Sequence, residues 1–236
     1  MSAGKLHLIP AGLGEAGWPG WLPQATHDVA IGLTHWVVEN AKTARAQLKA
    51  LGHPVPMNEI SIIELPREPK REDLDRLLAP ALAGHALGLM SEAGCPAVAD
   101  PGALLVRRAH EKGVVVKPHV GPSSLLLAVM ASGLEGQRFA FHGYLPVKEP
   151  ELLEALRRLE KDSARLSQTQ LFIETPYRNL RSFNAVLAAC KDDSRLALAA
   201  GLTTPEEWIS SRSVRDWKKA PPPPIEKVPT VFCLLA

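Results

Sequence analysis

Three glycines near the amino terminus have the spacing of a nucleotide-binding loop. They form Gly12-x-Gly14-x-x-Gly17 directly after a β-like run, and Glu39 follows the last of them by about twenty residues. In a dinucleotide site a helix starts inside such a loop and turns its amino end toward the pyrophosphate. Two prolines and a glycine within residues 18–23 prevent a regular helix there. The segment is therefore predicted to be a connecting loop, or a loop at the end of strand one that approaches a ligand closely.

A second segment that could bind a ligand or take part in a reaction spans residues 91–102. It reads Ser-Glu-Ala-Gly-Cys-Pro-Ala-Val-Ala-Asp-Pro-Gly. It joins a strand-like run to a helix-like run, and α/β sheets bind ligands at the carboxyl ends of their parallel strands. The small residues Ala93 and Gly94 leave backbone groups open to a bound molecule. Asp100 is predicted to cap the following helix, with Pro101 in its first turn. On composition alone, a tight connection without a ligand remains open.

Two other candidate sites also lie where a strand ends or a helix begins. The run from Gly121 to Ser124 opens an apolar helix, where serine usually serves only as a cap. Glu174 ends a strand, where a ligand contact and a solvated rim residue are equally good interpretations. The sequence contains no H-E-x-x-H, no G-x-S-x-G and no phosphate-binding P-loop, and its eight histidines show no metal spacing. No metal site is predicted.

These segments need a scaffold, and the chain supplies alternating β-like and helix-like runs. The order βαβα in the first half predicts a mainly parallel sheet flanked by helices. One predicted helix, residues 72–83, is amphipathic and places four leucines on one face, namely Leu74, Leu77, Leu78 and Leu82. The pattern restarts near residue 120, and its last strands lack full helices between them, which predicts a mixed sheet. We predict two α/β lobes, residues 1–120 and 121–236.

Composition sets broad limits on function. The 236 residues are 46% hydrophobic and 22% charged, which is ordinary for a folded globular protein. The 27 basic and 25 acidic residues give a net charge of +2, a weaker bias than that of most nucleic-acid binders. Three cysteines, an odd number with no C-x-x-C pair, favour a reducing cytoplasm. The first residues form no apolar signal segment, and the most apolar helix is too short to span a bilayer, so no membrane partner is predicted.

Four motifs together resemble the tetrapyrrole methylase superfamily, or class III methyltransferases, and within it the 16S ribosomal RNA ribose 2′-O-methyltransferases. Residues 91–102 are similar to that branch's Ser-Asp-Ala-Gly-x-Pro-x-x-x-Asp-Pro-Gly, and residues 120–124 to its Pro-Gly-Pro-Ser helix start. Residues 138–146, RFAFHGYLP, resemble its Arg-Phe-x-Phe-x-Gly-Phe-Leu-Pro strand. Residues 173–178, IETPYR, resemble its Tyr-Glu-Ser-Pro-His-Arg element. The resemblance covers nearly the whole chain in order.

This resemblance implies S-adenosylmethionine as cofactor, held in a cleft between the two lobes, and a homodimer. The cofactor-binding positions that it indicates are Pro10, Gly12, Ser91, Glu92, Ala93, Gly94, Asp100, Ser123, Ser124, Glu174, Gly201 and Thr230. Methyl transfer from a sulfonium is an in-line displacement that mainly needs alignment, but an acceptor hydroxyl must also lose its proton. Glu39 and Glu174 are the candidate bases, and Lys42 and Arg45 are predicted to orient the acceptor or contact a phosphate.

The chain also departs from the family pattern. Glu92 replaces the usual aspartate, residues 39–45 replace Glu-Asp-Thr-Arg, and residues 200–204 replace Arg-Glu-Leu-Thr-Lys. We also expect no counterpart of the family's small carboxyl-terminal helical extension. The acceptor therefore stays open between ribosomal RNA, or the small ribosomal subunit, and a precorrin-type tetrapyrrole. Two other classes remain as alternatives: an NAD(P)-dependent oxidoreductase that uses Gly12, Gly14, Gly17 and Glu39, and an inactive S-adenosylmethionine-binding relative.

Overall fold

The computed structural model describes residues 4–14 and 17–236, so the two residues between Gly14 and Gly17 of the glycine pattern lie outside the described residues. The chain divides into two compact units, Met1–Ser123 and Ser124–Ala236. Each unit contains its own five-stranded sheet with helices packed against it. In the described part of the chain, no helix is both long and apolar enough to cross a membrane.

The sheet of the first unit is entirely parallel, with strand order β3-β2-β4-β1-β5. Its strands are β1 (Lys5–Leu8), β2 (His35–Val38), β3 (Ser61–Glu64), β4 (Leu87–Met90) and β5 (Val115–Pro118). Its helices are α1 (Gln24–Ile31), α2 (Ala41–Ala50), α3 (Arg71–Leu82) and α4 (Ala103–Glu111). The prediction of a parallel sheet flanked by helices is confirmed.

Both faces of this sheet are buried, which explains the continuous apolar run of β4. One face packs Leu87 and Leu89 against α3 and α4, and the other packs Trp36 against residues that include those of α2. A Cβ on Gly88 would stand 2.4 Å from the Trp36 ring, so glycine is needed for the indole to lie across β4. The central strands are thereby fixed, and the loops at their carboxyl ends start from rigid positions.

The prediction that four leucines share the buried face of α3 is wrong for one of them. Leu74, Leu77 and Leu78 are buried, but Leu82 is 43% exposed. Leu82 is the last residue of the helix, and Ala81 occupies the core position in its place. The smaller side chain fits where the helix end approaches the sheet, and the leucine faces solvent.

Helix α1 was not predicted. The proline-rich segment forms a short 3₁₀ turn at Trp18–Gly20, and α1 begins at Gln24 with Pro23 at its N-cap. Its buried face carries Thr26, His27 and Ala30 rather than large apolar residues, so the sequence shows no apolar periodicity there. The His27 ring stacks on Trp18 at 3.7 Å, and its Nε2 lies 2.8 Å from the Leu51 carbonyl oxygen.

The second unit has a mixed sheet with strand order β6-β7-β10-β8-β9, in which only β6 and β7 are parallel. Its strands are β6 (Phe139–Tyr144), β7 (Thr169–Ile173), β8 (Arg195–Ala200), β9 (Trp208–Ser213) and β10 (Thr230–Leu235). Its helices are α5 (Ser124–Ser132), α6 (Glu149–Leu166), α7 (Asn179–Ala189) and the four-residue α8 (Val214–Trp217). The predicted mixed sheet is confirmed.

The carboxyl-terminal strand β10 lies at the centre of this sheet. Phe232 of β10 stacks on Phe172 of β7 at 4.8 Å, and both rings are almost completely buried. Trp217 closes the same core, where its Nε1 donates to the Leu196 carbonyl oxygen at 2.8 Å. The last strand is therefore essential to the core, as its apolar sequence predicts.

Candidate functional site

The carboxyl ends of β1, β2 and β4 are neighbours in the first sheet, and several predicted site residues follow them directly. Ala11 and Gly94 exchange two backbone hydrogen bonds, with N···O distances of 2.9 and 3.1 Å. This pairing ties the loop after β4 to the segment that contains Pro10 and Gly12. Gly94 has a φ of +68°, a conformation that glycine adopts without strain. The structure therefore brings Pro10, Gly12 and residues 91–94 together.

Helix α2 holds the loop after β4 through Glu92. The Glu92 amide donates to Glu39 Oε2 at 3.1 Å, and its carboxylate Oε1 accepts the Thr43 hydroxyl at 2.8 Å. Gln47 Nε2 donates to the Glu92 carbonyl oxygen, also at 2.8 Å. Thr43 and Gln47 were not predicted. Their spacing of four residues places them on one helix face, but only the pairing of β2 with β4 brings that face to Glu92.

Asp100 does not cap a helix, contrary to the prediction. The N-cap of α4 is Gly102, which has a φ of +130°, and Asp100 stands two residues before it. Burial, together with the negative charges of Glu39 and Glu92, raises the pKa of Asp100 to about 6, and the neighbouring Ser91 hydroxyl partly offsets this increase. Asp100 therefore lies near Glu39 and Glu92 and forms an acidic group with them.

Ser91 offers a polar atom at the centre of this arrangement. It is 5% exposed, and its hydroxyl lies beside Asp100, whose pKa it lowers by donating a hydrogen bond. A hydroxyl can also accept, and no donor reaches Ser91 Oγ within the described residues. Ser91 Oγ can therefore still accept a hydrogen bond from a bound molecule.

Lys42 and Arg45 form no ion pair with this acidic group in the described residues. Both side chains are exposed on α2. Arg45 Nη1 lies 3.4 Å from the carbonyl oxygen of Ala41, and neither cation pairs with a carboxylate among residues 4–14 and 17–236. The Asn40 side chain caps α2 by accepting from the amides of Lys42 and Thr43. The orienting role assigned to the two cations stays a prediction.

The segment before α5 lies beside the same loops. A Cβ on Gly121 would stand 2.4 Å from the Cβ of Pro10, so only glycine permits this approach. The Cys95 thiol donates to the Pro122 carbonyl oxygen at 3.4 Å, and burial and Asp100 raise its pKa. Ser123 is the last residue of the first unit, whereas Ser124 begins the second.

Three other predicted residues share one edge of the second sheet. Glu174 follows β7, Gly201 follows β8, and Thr230 begins β10, which runs antiparallel to both strands. The Gly201 amide donates to the Pro229 carbonyl oxygen at 3.0 Å. The Glu174 side chain is 4% exposed and accepts from Arg178 Nη2 at 2.7 Å, so Glu174 is not a solvated rim residue.

The Thr230 hydroxyl already takes part in a structural network. It donates to the Val228 carbonyl oxygen at 2.8 Å and accepts from Asn179 Nδ2 at 3.2 Å. The fully buried Asn179 also donates to the carbonyl oxygens of Ile225 and Val228. At this edge, backbone groups rather than the Thr230 hydroxyl are left for a ligand.

The glycine pattern lacks the geometry of a pyrophosphate site. The helix that follows it starts at Gln24, well beyond Gly17, and does not arise inside the loop. Gly12 has a different role, because a Cβ there would stand 3.1 Å from the Trp21 ring. At Gly12, the glycine therefore serves packing at the end of β1.

No family model matches the chain, but it is similar to known proteins in sequence and in structure. It is 33% identical over 177 residues to ribosomal RNA small subunit methyltransferase I of Xylella fastidiosa, covering 74% of this chain and 60% of that protein. It is 29% identical over 204 residues to the Vibrio cholerae protein of the same name, covering 86% and 67%. It is 33% identical over 145 residues to the Escherichia coli O157:H7 protein of that name, covering 61% and 49%. The chain thus spans about half to two thirds of the length of these relatives.

The solved structures agree on the architecture. The methyltransferase CobJ superposes with a TM-score of 0.63 at 18% identity, covering 98% of this chain and 94% of that one. The chain has the tetrapyrrole methylase fold. The cobalt precorrin-4 methyltransferase CbiF gives a TM-score of 0.60 at 15% identity, covering 97% and 94%. The predicted resemblance to the tetrapyrrole methylases, and to their ribosomal RNA branch in particular, is confirmed.

Proposed function

We propose that this chain transfers a methyl group from S-adenosylmethionine to a hydroxyl of small-subunit ribosomal RNA. The observation that carries the proposal is the loop of residues 91–94, which is tied to the end of β1 through Ala11 and to α2 through Glu92. A loop fixed on two sides presents its backbone in one geometry, as binding of a small cofactor requires. The names of the sequence relatives support the reaction.

The residues of the first unit suit this cofactor. S-adenosylmethionine carries a sulfonium and an ammonium group, which complement the carboxylates of Glu92 and Asp100. Ser91 Oγ is a buried group that can still accept a hydrogen bond, and Gly94 places no side chain in the way of a ligand. When bound, the cofactor supplies an activated methyl group.

The chain's own part in the reaction is to align the acceptor and accept its proton. We assign the role of general base to Glu39, because its Oε2 accepts a hydrogen bond from the Glu92 amide and this contact orients the carboxylate. At the second sheet, Glu174 is held by Arg178 and is less free to act as a base. The cofactor contacts assigned to Ser123, Ser124, Gly201 and Thr230 from the sequence stay predictions.

RNA is preferred over a tetrapyrrole as acceptor because the sequence relatives are RNA methyltransferases at 29–33% identity. The precorrin methyltransferases are 15–18% identical, and that likeness supports the fold alone. Precorrin methylation is therefore the second candidate.

We further propose that the protein is a homodimer and that it acts in the cytoplasm. Burial raises the thiol pKa of Cys190 and Cys233 to about 12, and neither thiol is in a disulfide. Buried, unpaired thiols suit a reducing compartment.

The test is transfer of a tritiated methyl group from S-adenosylmethionine into 30S subunits, total RNA and uroporphyrinogen, measured in parallel. We expect label in the 30S subunits. The variant Glu39→Gln keeps an acceptor for the Glu92 amide but cannot take a proton, so turnover should fall by about 100-fold with little change in cofactor affinity. Glu154→Gln, an exposed residue of α6, is the matched control. Unchanged turnover in Glu39→Gln removes Glu39 from the mechanism, and label confined to uroporphyrinogen refutes the RNA assignment.

A further inference from the structure

Two histidines of the first unit form a pair that the proposed reaction does not use. His7 lies on β1 and His119 directly follows β5, and their rings stack with centroids 5.2 Å apart. Nδ1 of His7 and Nε2 of His119 are separated by 2.9 Å, which is a hydrogen-bonding distance. The two residues are 112 positions apart in the sequence, and only the parallel pairing of β1 with β5 brings them together.

The histidine pair lies on the more exposed face of β1 and β5. Lys5 precedes His7 by two residues, and Lys117 is the partner of His7 in register, so these three side chains lie on one face. His119 follows Lys117 by two residues and contacts His7 there. The opposite face carries apolar residues such as Leu6, which pack into the core with α3 and α4. The lysines are exposed and the histidines half-buried, and the four residues together form the basic face of the first unit.

The charge of the basic face is positive. In the part of the chain that the structure describes, neither Lys5 nor Lys117 pairs with a carboxylate. Burial lowers the pKa of both imidazoles below 6.5, and neighbouring basic groups lower each pKa further. None of the groups that shift either pKa is a carboxylate. An anion on this face would therefore meet four basic groups.

The elements around the basic face do not neutralise it. Helix α1 meets the chain after β5, where Thr26 Oγ1 donates to the Val120 carbonyl oxygen at 2.8 Å. Its two titratable residues already have contacts of their own, because His27 is buried and Asp28 accepts from Gln24 Nε2 at 2.6 Å. Strand β4, on the other side of β1, contains no titratable residue, and α4 packs on the opposite face of the sheet. Among the described residues, burial and the two lysines therefore dominate the titration of the histidine pair.

The hydrogen bond between the rings sets how many protons the pair can take up. The two nitrogens that face each other are the inner ones, and the ring that donates carries its proton there, so its outer nitrogen is free to accept another. A pair with one extra proton keeps its hydrogen bond and presents two outward N–H groups and one positive charge. A second extra proton would place two N–H groups against each other at 2.9 Å. The pair is therefore suited to take up a single proton and to donate to an oxyanion.

We propose that the basic face binds a phosphate group and that the histidine pair takes up one proton when it does so. The oxygens of the phosphate accept from the two outward imidazole N–H groups, and the ammonium groups of Lys5 and Lys117 neutralise its charge. The phosphate belongs either to an RNA strand or to a small phosphorylated molecule, and the chemistry of recognition is the same. This inference goes beyond the proposed function, because it holds whatever the methyl acceptor is.

Binding of two anions at pH 6.0 and pH 7.5 tests the inference. The probes are sodium sulfate, a tetrahedral oxyanion whose charge is constant over this range, and a fluorescein-labelled single-stranded RNA of about 10 nucleotides. Both are titrated at constant ionic strength with EDTA present. His7→Gln/His119→Gln keeps side chains that form hydrogen bonds but cannot take up a proton. The matched control is His35→Gln/His85→Gln, because those rings also stack, with centroids 5.0 Å apart.

The expected result is a pH dependence that only the first histidine pair supplies. One linked proton changes Kd by at most about tenfold for each pH unit. We expect the wild type and the control variant to bind about tenfold more tightly at pH 6.0 than at pH 7.5. His7→Gln/His119→Gln should bind equally at both pH values. Lys5→Gln/Lys117→Gln should weaken binding at both pH values and keep the pH dependence.

Nuclear magnetic resonance of the wild type gives a readout that does not depend on the folding of a variant. A bound probe should shift the imidazole resonances of His7 and His119 and leave those of His35 and His85 unchanged. Shifts with RNA alone assign the phosphate to a strand, and shifts with sulfate alone assign it to a small molecule; either result supports the inference. Resonances of His7 and His119 that shift with neither probe would overturn it.

The variants supply two further outcomes that would contradict the inference. One is a pH dependence that persists in His7→Gln/His119→Gln, and the other is an equal loss of pH dependence in both histidine variants. Calorimetry of the wild type with S-adenosylhomocysteine tests the proposed function separately. Absence of S-adenosylhomocysteine binding would refute the methyltransferase proposal and leave the phosphate site unaffected.

Discussion

Replacing Asp100 with asparagine should stabilise the folded chain at neutral pH. Burial and the charges of Glu39 and Glu92 raise the pKa of Asp100 from its ordinary value of 3.8 to about 6. At 1.36 kcal/mol for each pKa unit, an ionised Asp100 would cost the folded state about 3 kcal/mol. Because the side chain is only half-buried, solvent screening reduces this to about 1.5 kcal/mol. Asp100→Asn removes the charge and should raise the free energy of unfolding by that amount.

The sign of the pH dependence follows from proton binding. Between pH 3.8 and about 6, the folded chain keeps a proton on Asp100 that the unfolded chain has lost. The free energy of unfolding therefore falls as pH rises through this range, and the loss is complete above about pH 6. The gain from Asp100→Asn should be about 1.5 kcal/mol at pH 7.5 and about half of that at pH 5.

Urea denaturation at these two pH values measures the effect. The control is Asp193→Asn, at an exposed turn position, which should change the unfolding free energy by less than about 0.5 kcal/mol. If Asp100→Asn is destabilising, or if its gain is the same at both pH values, Asp100 does not carry a strained charge in the folded chain.

Two further substitutions test the scaffold by the same denaturation assay. Gly88→Ala places a Cβ 2.4 Å from the Trp36 ring and should lower the unfolding free energy by about 1–3 kcal/mol; an equal effect of Gly136→Ala, where the added Cβ has room, would contradict this packing. Asn179→Ala leaves the two backbone carbonyl groups that Asn179 binds without that donor and should cost about 1–3 kcal/mol. The exposed Asn184→Ala on α7 should be nearly neutral, and a neutral Asn179→Ala would disprove the network.

The two sheets could be predicted from the sequence because their strands are short apolar runs at regular intervals. Residues 87–90 and 230–235 are the clearest cases, since both are buried on two faces. Helix α1 was not predicted because its buried face consists of a threonine, a histidine and an alanine. The histidine is buried through contacts with Trp18 and Leu51. Such contacts are tertiary and leave no periodic signal.

The candidate site was predictable as a set of loops but not as a set of contacts. Residues 91–94 were identified because small residues follow a buried strand. The reach of Thr43 and Gln47 to Glu92 depends on β2 and β4 being neighbours, which the order of elements along the chain does not specify. Asp100 has the residue type of a helix cap, but Pro101 and Gly102 separate it from the helix and turn it toward the acidic group.

The central claim is that the loop of residues 91–94 belongs to a binding site for the methyl donor. Isothermal titration calorimetry of the intact chain with S-adenosylhomocysteine, and separately with NADH, tests it most directly. We expect saturable binding of S-adenosylhomocysteine and no heat of binding with NADH. Binding of NADH by a chain that gives no signal with S-adenosylhomocysteine would contradict it.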